Sequence, residues 1–242
     1  MIIVITPEEL VQNETEIINE LFEEGLDLLH IRKPFIDQNK MKDFIQKIDS
    51  KFHSQLVLHS HYNLAENFNI SRFHFREIDR QNGLCPSFTN KTISTSVHDI
   101  ESFNQLNKEW EYAFISPVFP SISKKGYGEN SNILNDIKKR DNSNVRLIAL
   151  GGINENNIHH VFDNNIDGVA LLGAIWESDE PLHVFRKCSQ NIVYYDVFKF
   201  KNGKTTIYFS RFYKNRTGIK YKKSLRQWHK MDSGSLEKRS RK

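Results

Sequence analysis

The chain has 242 residues, of which 26% are charged and 38% hydrophobic, and its formal net charge is +4. That length allows one or two domains with a full core, and that composition belongs to a globular chain, not a disordered or fibrous one. No run of about 18 apolar residues occurs, so no membrane-spanning helix is expected. Cys85 and Cys188 lie far apart with no metal or redox spacing, which makes a reducing cytoplasm the expected setting.

The N-terminal run from Met1 to Pro7 has neither a charged n-region nor a cleavage site. It reads as a first strand over residues 2–6, not as a signal peptide. A helix follows, with Ile17, Ile18, Leu21 and Phe22 on one face. Further strands are predicted over residues 26–32, 55–60, 72–75, 92–97, 112–118, 146–150 and 168–174. Most are separated by amphipathic stretches, although the spacing tightens around residues 60–95, where helices should be short or irregular. Alternating strands and helices imply a parallel sheet. Eight repeats close naturally into a (β/α)8 TIM barrel, whereas an open flavodoxin-like sheet needs only five strands.

The pattern changes near residue 190, which divides a barrel over residues 1–190 from a basic C-terminal extension over residues 191–242. Residues 193–200 alternate weakly, Asn202-Gly203 is a hairpin signal, and residues 205–213 read as the returning strand. The last ten residues read as disordered. Residues 192–242 carry fifteen Lys/Arg against three Asp/Glu, so the rest of the chain is acidic. Ten aromatics interleave with those cations between Tyr194 and Trp228, a composition that can bind nucleic acid through phosphates and stacking. No RNA-module pattern accompanies it, so nucleic acid is not the expected partner. A small appended hairpin, a tail that stays unfolded and a shifted reading frame after a complete barrel are the alternatives.

In such a barrel the C-terminal strand ends carry the chemistry. They collect Arg32, Lys33, Ser96, Ser121, Ser123, Lys124 and Lys125, a basic, hydroxyl-rich set suited to phosphate or pyrophosphate oxygens. Strands seven and eight end in glycine turns at Gly151-Gly152 and at Leu172-Gly173. Backbone N–H groups at such turns approach a phosphate closely. His59, His61 and His74 form a candidate metal trio, provided strand three runs far enough to put 59 and 61 on one face. His98 beside Asp99 reads as an exposed helix start or as an acid–base pair. Phosphorylated small molecules are therefore the expected partners, and a homodimer is compatible with the sequence but not encoded by any one feature.

The order of motifs resembles the thiamine-phosphate synthase and thiazole tautomerase superfamily. The strings that carry the resemblance are Leu29 to Lys33, His74-Phe75 followed by Asp79, Ser94 to His98, Ser116 to Lys124, and Ala149 to Asn154 through Gly168-Val169-Ala170. The resemblance implies a (β/α)8 barrel that joins hydroxymethylpyrimidine diphosphate to a thiazole phosphate and releases pyrophosphate. Arg32, Lys33, Ser96, Ser121, Ser123 and Lys124 would then hold pyrophosphate, with Arg32, Lys124 and His30 catalytic. Gly151, Gly152, Leu172 and Gly173 would hold the thiazole phosphate, and Asp79 would bind Mg²⁺. His30 stands where the synthases usually carry a pyrimidine-facing Gln. Three positions depart from the pattern. Ser60-His61 replaces the Asn-Asp pair whose Asp binds metal, Lys33 precedes Pro34 at the position expected for the strand-two Lys, and Pro117 stands where the tautomerase branch carries its catalytic His. A thiazole tautomerase, with His30, His61 or His98 carrying the proton, and a non-catalytic binder of thiazole phosphate are the alternative functions.

Overall fold

The computed structural model describes residues 1–83, 90–122, 126–197, 199–201 and 204–206. Strand β1 (Ile2–Ile5) leads into α1 (Glu14–Glu23), β2 (Leu28–Ile31), α2 (Gln38–Gln46), β3 (Leu56–Leu58), β4 (Arg72–Phe75), α3 (Glu77–Gln81), β5 (Thr92–Val97) and α4 (Ile100–Asn104). Then come β6 (Trp110–Ile115), α5 (Ile133–Asp136), β7 (Arg146–Leu150), α6 (Ile158–Phe162), β8 (Gly168–Leu171), α7 (Gly173–Trp176) and α8 (Pro181–Val197). All eight of these strands pair in parallel in chain order, and β8 closes on β1. The chain is a (β/α)8 barrel. Between β3 and β4 the connection contains only 3-10 turns, at Tyr62–Leu64 and Glu66–Phe68, in keeping with the tight spacing there.

Strand alternation divides the side chains into two cores. Ile2 and Val4, Leu29 and Ile31, and Phe73 and Phe75 face outward into the large apolar layer under the helices. Ile3, Ile5, Leu28, Val57, Tyr112, Phe114, Ile148 and Ala170 fill the barrel interior. Each outward face needs a helix to cover it, and the first helix does so by burying Ile18, Leu21 and Phe22. Trp176 on α7 ties the last unit to the first by donating its indole N–H to the Ile5 carbonyl at 2.7 Å.

The final helix extends through Val197, so residues 193–197 continue a helix rather than starting the expected strand. Two short strands follow. Here β9 (Lys199–Lys201) pairs antiparallel with β10 (Lys204–Thr206). The remainder of the basic extension, with the nucleic-acid and disorder expectations attached to it, lies outside the described residues. Among the described residues no helix is long and apolar enough to cross a membrane.

Candidate active site

On β2 to β6 the inward positions near the C-terminal end are polar and aromatic where aliphatic side chains would normally fill the barrel. His30 Nδ1 lies 2.9 Å from His59 Nε2, and His30 Nε2 lies 2.7 Å from the Tyr112 hydroxyl. His74 Nδ1 lies 2.9 Å from Ser94 Oγ, and His74 Nε2 lies 3.0 Å from Ser96 Oγ. Ser94 donates its one proton to the Phe73 carbonyl at 3.2 Å. It therefore accepts from His74 Nδ1–H, which leaves the Nε2 lone pair for the Ser96 hydroxyl. The His59 and His74 rings stack at 4.4 Å, and His30 meets both edge-on at 5.1 and 5.2 Å.

These three rings are neutral. Burial dominates in each case, because an imidazolium inside the barrel loses its hydration. It holds His30 and His59 well below the ordinary imidazole value and brings His74 down to about 3. Nearby positive charge pushes the same way, from Arg72 on His30 and from Arg32 on His59 and His74. Burial also raises the Tyr112 phenol, which stays protonated. The floor of the mouth is thus polar and uncharged.

Arg32 reaches the mouth, where its guanidinium pairs with Glu8 at 2.5 Å and is about one-third exposed. Lys33 does not reach it. Parity is the reason: His30 and Arg32 share the inner face, so Lys33 turns outward with Ile31. Its ammonium is fully buried between Glu14 and the Glu9 carbonyl, out of reach of a ligand at the mouth. That corrects its placement among the pyrophosphate groups.

Asp79 is also committed elsewhere. Both of its carboxylate oxygens accept from the Arg76 guanidinium at 2.8 Å, and Oδ2 also accepts from the Arg76 N–H, so in this structure Asp79 closes the capping box of α3. His61 adopts a left-handed backbone with φ 54°, and its Nδ1 lies 2.9 Å from Ser60 Oγ. The trio suggested by residues 59, 61 and 74 is replaced by His30, His59 and His74. Strand β3 ends at Leu58, so the two-residue repeat does not extend to 61. Mg²⁺ requires hard oxygen ligands in near-octahedral order. The described oxygen donors near the mouth are hydroxyls and the Glu8 and Asp79 carboxylates, each held by an arginine, and the remaining donors are imidazoles, a set that does not fit a protein-held Mg²⁺.

The glycine turns close the opposite side. Gly151 and Gly152 have φ of 104° and 64°. A Cβ on Gly152 would lie 2.2 Å from the Pro120 carbonyl oxygen, and one on Gly151 would lie 2.9 Å from the Pro117 Cα. The close approach that demands glycine here is therefore to the loop after β6. That loop is laced to β7 by Val118 N–H on the Leu150 carbonyl and Phe119 N–H on the Gly151 carbonyl. Leu172 precedes the short α7, and Gly173 opens it. Ser121 donates its backbone N–H to the Tyr127 carbonyl at 2.8 Å. Ser123 and Lys124 lie outside the described residues. His98 donates Nδ1–H to the Ser116 carbonyl, and Asp99 caps α4 through Ser102 N–H, the helix-start arrangement.

Tyr112 and Ser94 were missed at the level of sequence, and His59 was paired with the wrong neighbour. Two-residue alternation along β2, β5 and β6 marks 30, 94 and 112 as inward positions, and closure of the barrel brings 30 and 112 into contact.

The chain matches the model of the thiamine monophosphate synthase family over residues 2–175, which span all eight barrel strands. It is 24% identical to a thiamine-phosphate synthase of Clostridium tetani over 167 residues, covering 66% of this chain and 79% of that protein. A thiamine phosphate pyrophosphorylase from Bacteroides thetaiotaomicron superposes with a TM-score of 0.66 at 27% identity, covering 79% of this chain and 97% of that one. A second, from Pyrococcus furiosus, gives a TM-score of 0.64 at 18% identity, covering 80% and 96%, and supports the fold. The chain therefore belongs to the thiamine monophosphate synthase family, whose members are transferases of thiamine biosynthesis.

Proposed function

We propose that this chain joins hydroxymethylpyrimidine diphosphate to a thiazole phosphate, giving thiamine phosphate and pyrophosphate, in a cytoplasmic setting. The observation that carries this reading is the family match, which runs through every strand and both glycine turns of the mouth. In this reaction the pyrimidine C–O bond breaks, negative charge gathers on pyrophosphate, and the thiazole nitrogen attacks the pyrimidine methylene cation. Arg32 is the described cation at the mouth. It would exchange its Glu8 partner for pyrophosphate oxygens, with Ser96, Ser121, Ser123 and Lys124 completing the anion site. Gly151, Gly152, Leu172 and Gly173 would present backbone N–H groups to the thiazole phosphate. The neutral floor matters for the other half of the charge separation. A protonated His30 or His74 would repel the developing carbocation, whereas neutral rings and the Phe114 face do not.

Transferases of this family are generally Mg²⁺-dependent, and the donor set here does not fit that ion. No step above is routed through a metal. That misfit favours a second reading, a thiazole tautomerase in which the coupled His30 and His59 pass a proton.

Incubation with both substrates, with MgCl₂ or with EDTA, followed by quantification of thiamine phosphate, tests the proposal. Thiamine phosphate formation establishes the transferase. A folded protein that forms none, yet interconverts thiazole carboxylate phosphate isomers, establishes the tautomerase.

A further inference from the structure

We propose that His30, His59 and His74 form a three-imidazole site for a late first-row divalent cation such as Zn²⁺ or Co²⁺, with its open coordination position facing the mouth. His30 and His74 stand on β2 and β4, His59 directly follows β3, and one ring nitrogen of each lies within 4.8 Å of the others. Tetrahedral Zn²⁺ with bonds of about 2.0–2.1 Å needs ligand nitrogens roughly 3.4 Å apart. His30 Nδ1 and His59 Nε2 already face each other at 2.9 Å, so the site forms by small ring rotations and not by backbone movement.

Behind two of the rings the supporting groups are already in place. A ligating imidazole is normally held by a hydrogen bond from its other nitrogen. His30 Nε2 has the Tyr112 hydroxyl at 2.7 Å, and His74 Nδ1 has Ser94 Oγ, itself fixed on the Phe73 carbonyl. A cation on His74 Nε2 would displace only the Ser96 hydroxyl. Imidazole is a borderline donor that favours Zn²⁺, Co²⁺, Ni²⁺ or Cu²⁺ over Mg²⁺. His30 and His74 are buried, while His59 is only partly so, which leaves entry from the mouth. A cation here would place positive charge on the floor that the transferase reading keeps neutral, so this site rests on the tautomerase reading of the mouth.

The test uses the full chain stripped with chelator and titrated with CoCl₂, reading the visible d–d bands of four-coordinate Co²⁺. One equivalent should bind, be displaced by ZnCl₂ and resist excess MgCl₂. His59→Ala, the least buried member, should abolish the bands. Tyr112→Phe should weaken Co²⁺ binding about 10- to 100-fold by removing the oxygen behind His30. The surface variant His159→Asn/His160→Asn should bind as the unmodified chain does. Absence of the bands, their survival in His59→Ala, or their loss in the surface variant overturns the proposal. If His59→Ala does not fold, unchanged affinity in Tyr112→Phe overturns it instead.

Discussion

Lys33 Nζ lies 2.7 and 2.8 Å from the two carboxylate oxygens of Glu14, and both side chains are almost completely buried. Oε2 accepts hydrogen bonds from Lys33 and from the Val11 N–H, while Oε1 makes only the ion-pair approach. Burial pushes the Glu14 carboxyl up and the Lys33 amine down, each against the pull of the other. Removing one partner of such a pair strands the other charge and typically costs about 3–5 kcal/mol. Lys33→Met should therefore lower the urea midpoint strongly, and Lys33→Met/Glu14→Leu should recover most of the loss. A stable Lys33→Met with weakened pyrophosphate binding would instead return Lys33 to the mouth.

Arg32 has the opposite character. Its partner Glu8 is one-third exposed, and an exposed pair of this kind contributes only about 0.2–1 kcal/mol. A ligand anion can displace it. Glu8→Gln should tighten the binding of inorganic pyrophosphate by about 1.4- to fivefold, the range that energy corresponds to. Arg32→Gln should weaken it. Isothermal titration of the two variants checks both directions, and an unchanged affinity in both would remove Arg32 from the anion site.

The barrel was legible because period and length agree. Apolar runs such as residues 72–75, 92–97 and 146–150 coincide with β4, β5 and β7 to the residue. The site was legible only in part. Arg32 and Lys33 are adjacent and chemically alike, so composition assigns them one role, but a single residue step on a strand reverses the face. Asp79 is a metal carboxylate by the resemblance alone, and its pairing with Arg76, three residues before it, is a contact that a motif match does not report. The His30–Tyr112 contact joins positions 82 residues apart and becomes visible only when the barrel closes. The helix through Val197 was missed because Val193 to Phe200 alternates weakly enough to mimic a strand.

Gly152 carries a packing demand that differs from the usual freedom of a turn glycine. Gly152→Ala adds a left-handed backbone cost of about 1–2 kcal/mol and an overpacking cost of about 1–3 kcal/mol against Pro120 and Phe119. Gly25 has φ 99° but nothing within 4 Å of an added Cβ, so Gly25→Ala should show the backbone cost alone. Thermal or urea unfolding of the two variants separates the contributions. Equal losses would mean that the loop after β6 yields, and that the β7 turn is not locked against it.

The neutral imidazoles also make the fold acid-sensitive above the carboxylate range. His74 is held near 3 in the folded protein, while an unfolded chain restores a value near 6.5. Between those values the unfolded state binds a proton that the folded state refuses, so stability falls as pH falls. The stabilisation is fully present above about pH 6.5 and declines by about 1.4 kcal/mol per pH unit for each such ring. His30 acts in the same direction, because it too is held well below the ordinary value. Urea unfolding at several pH values between 6.5 and 5 should therefore show a steep loss before most carboxylates begin to titrate. His74→Asn removes one of the protons taken up on unfolding, so its stability should depend less steeply on pH in that window, even if it is lower at pH 7. A variant with the same slope as the unmodified chain would mean that His74 is already protonated when folded, and that the floor of the mouth carries charge.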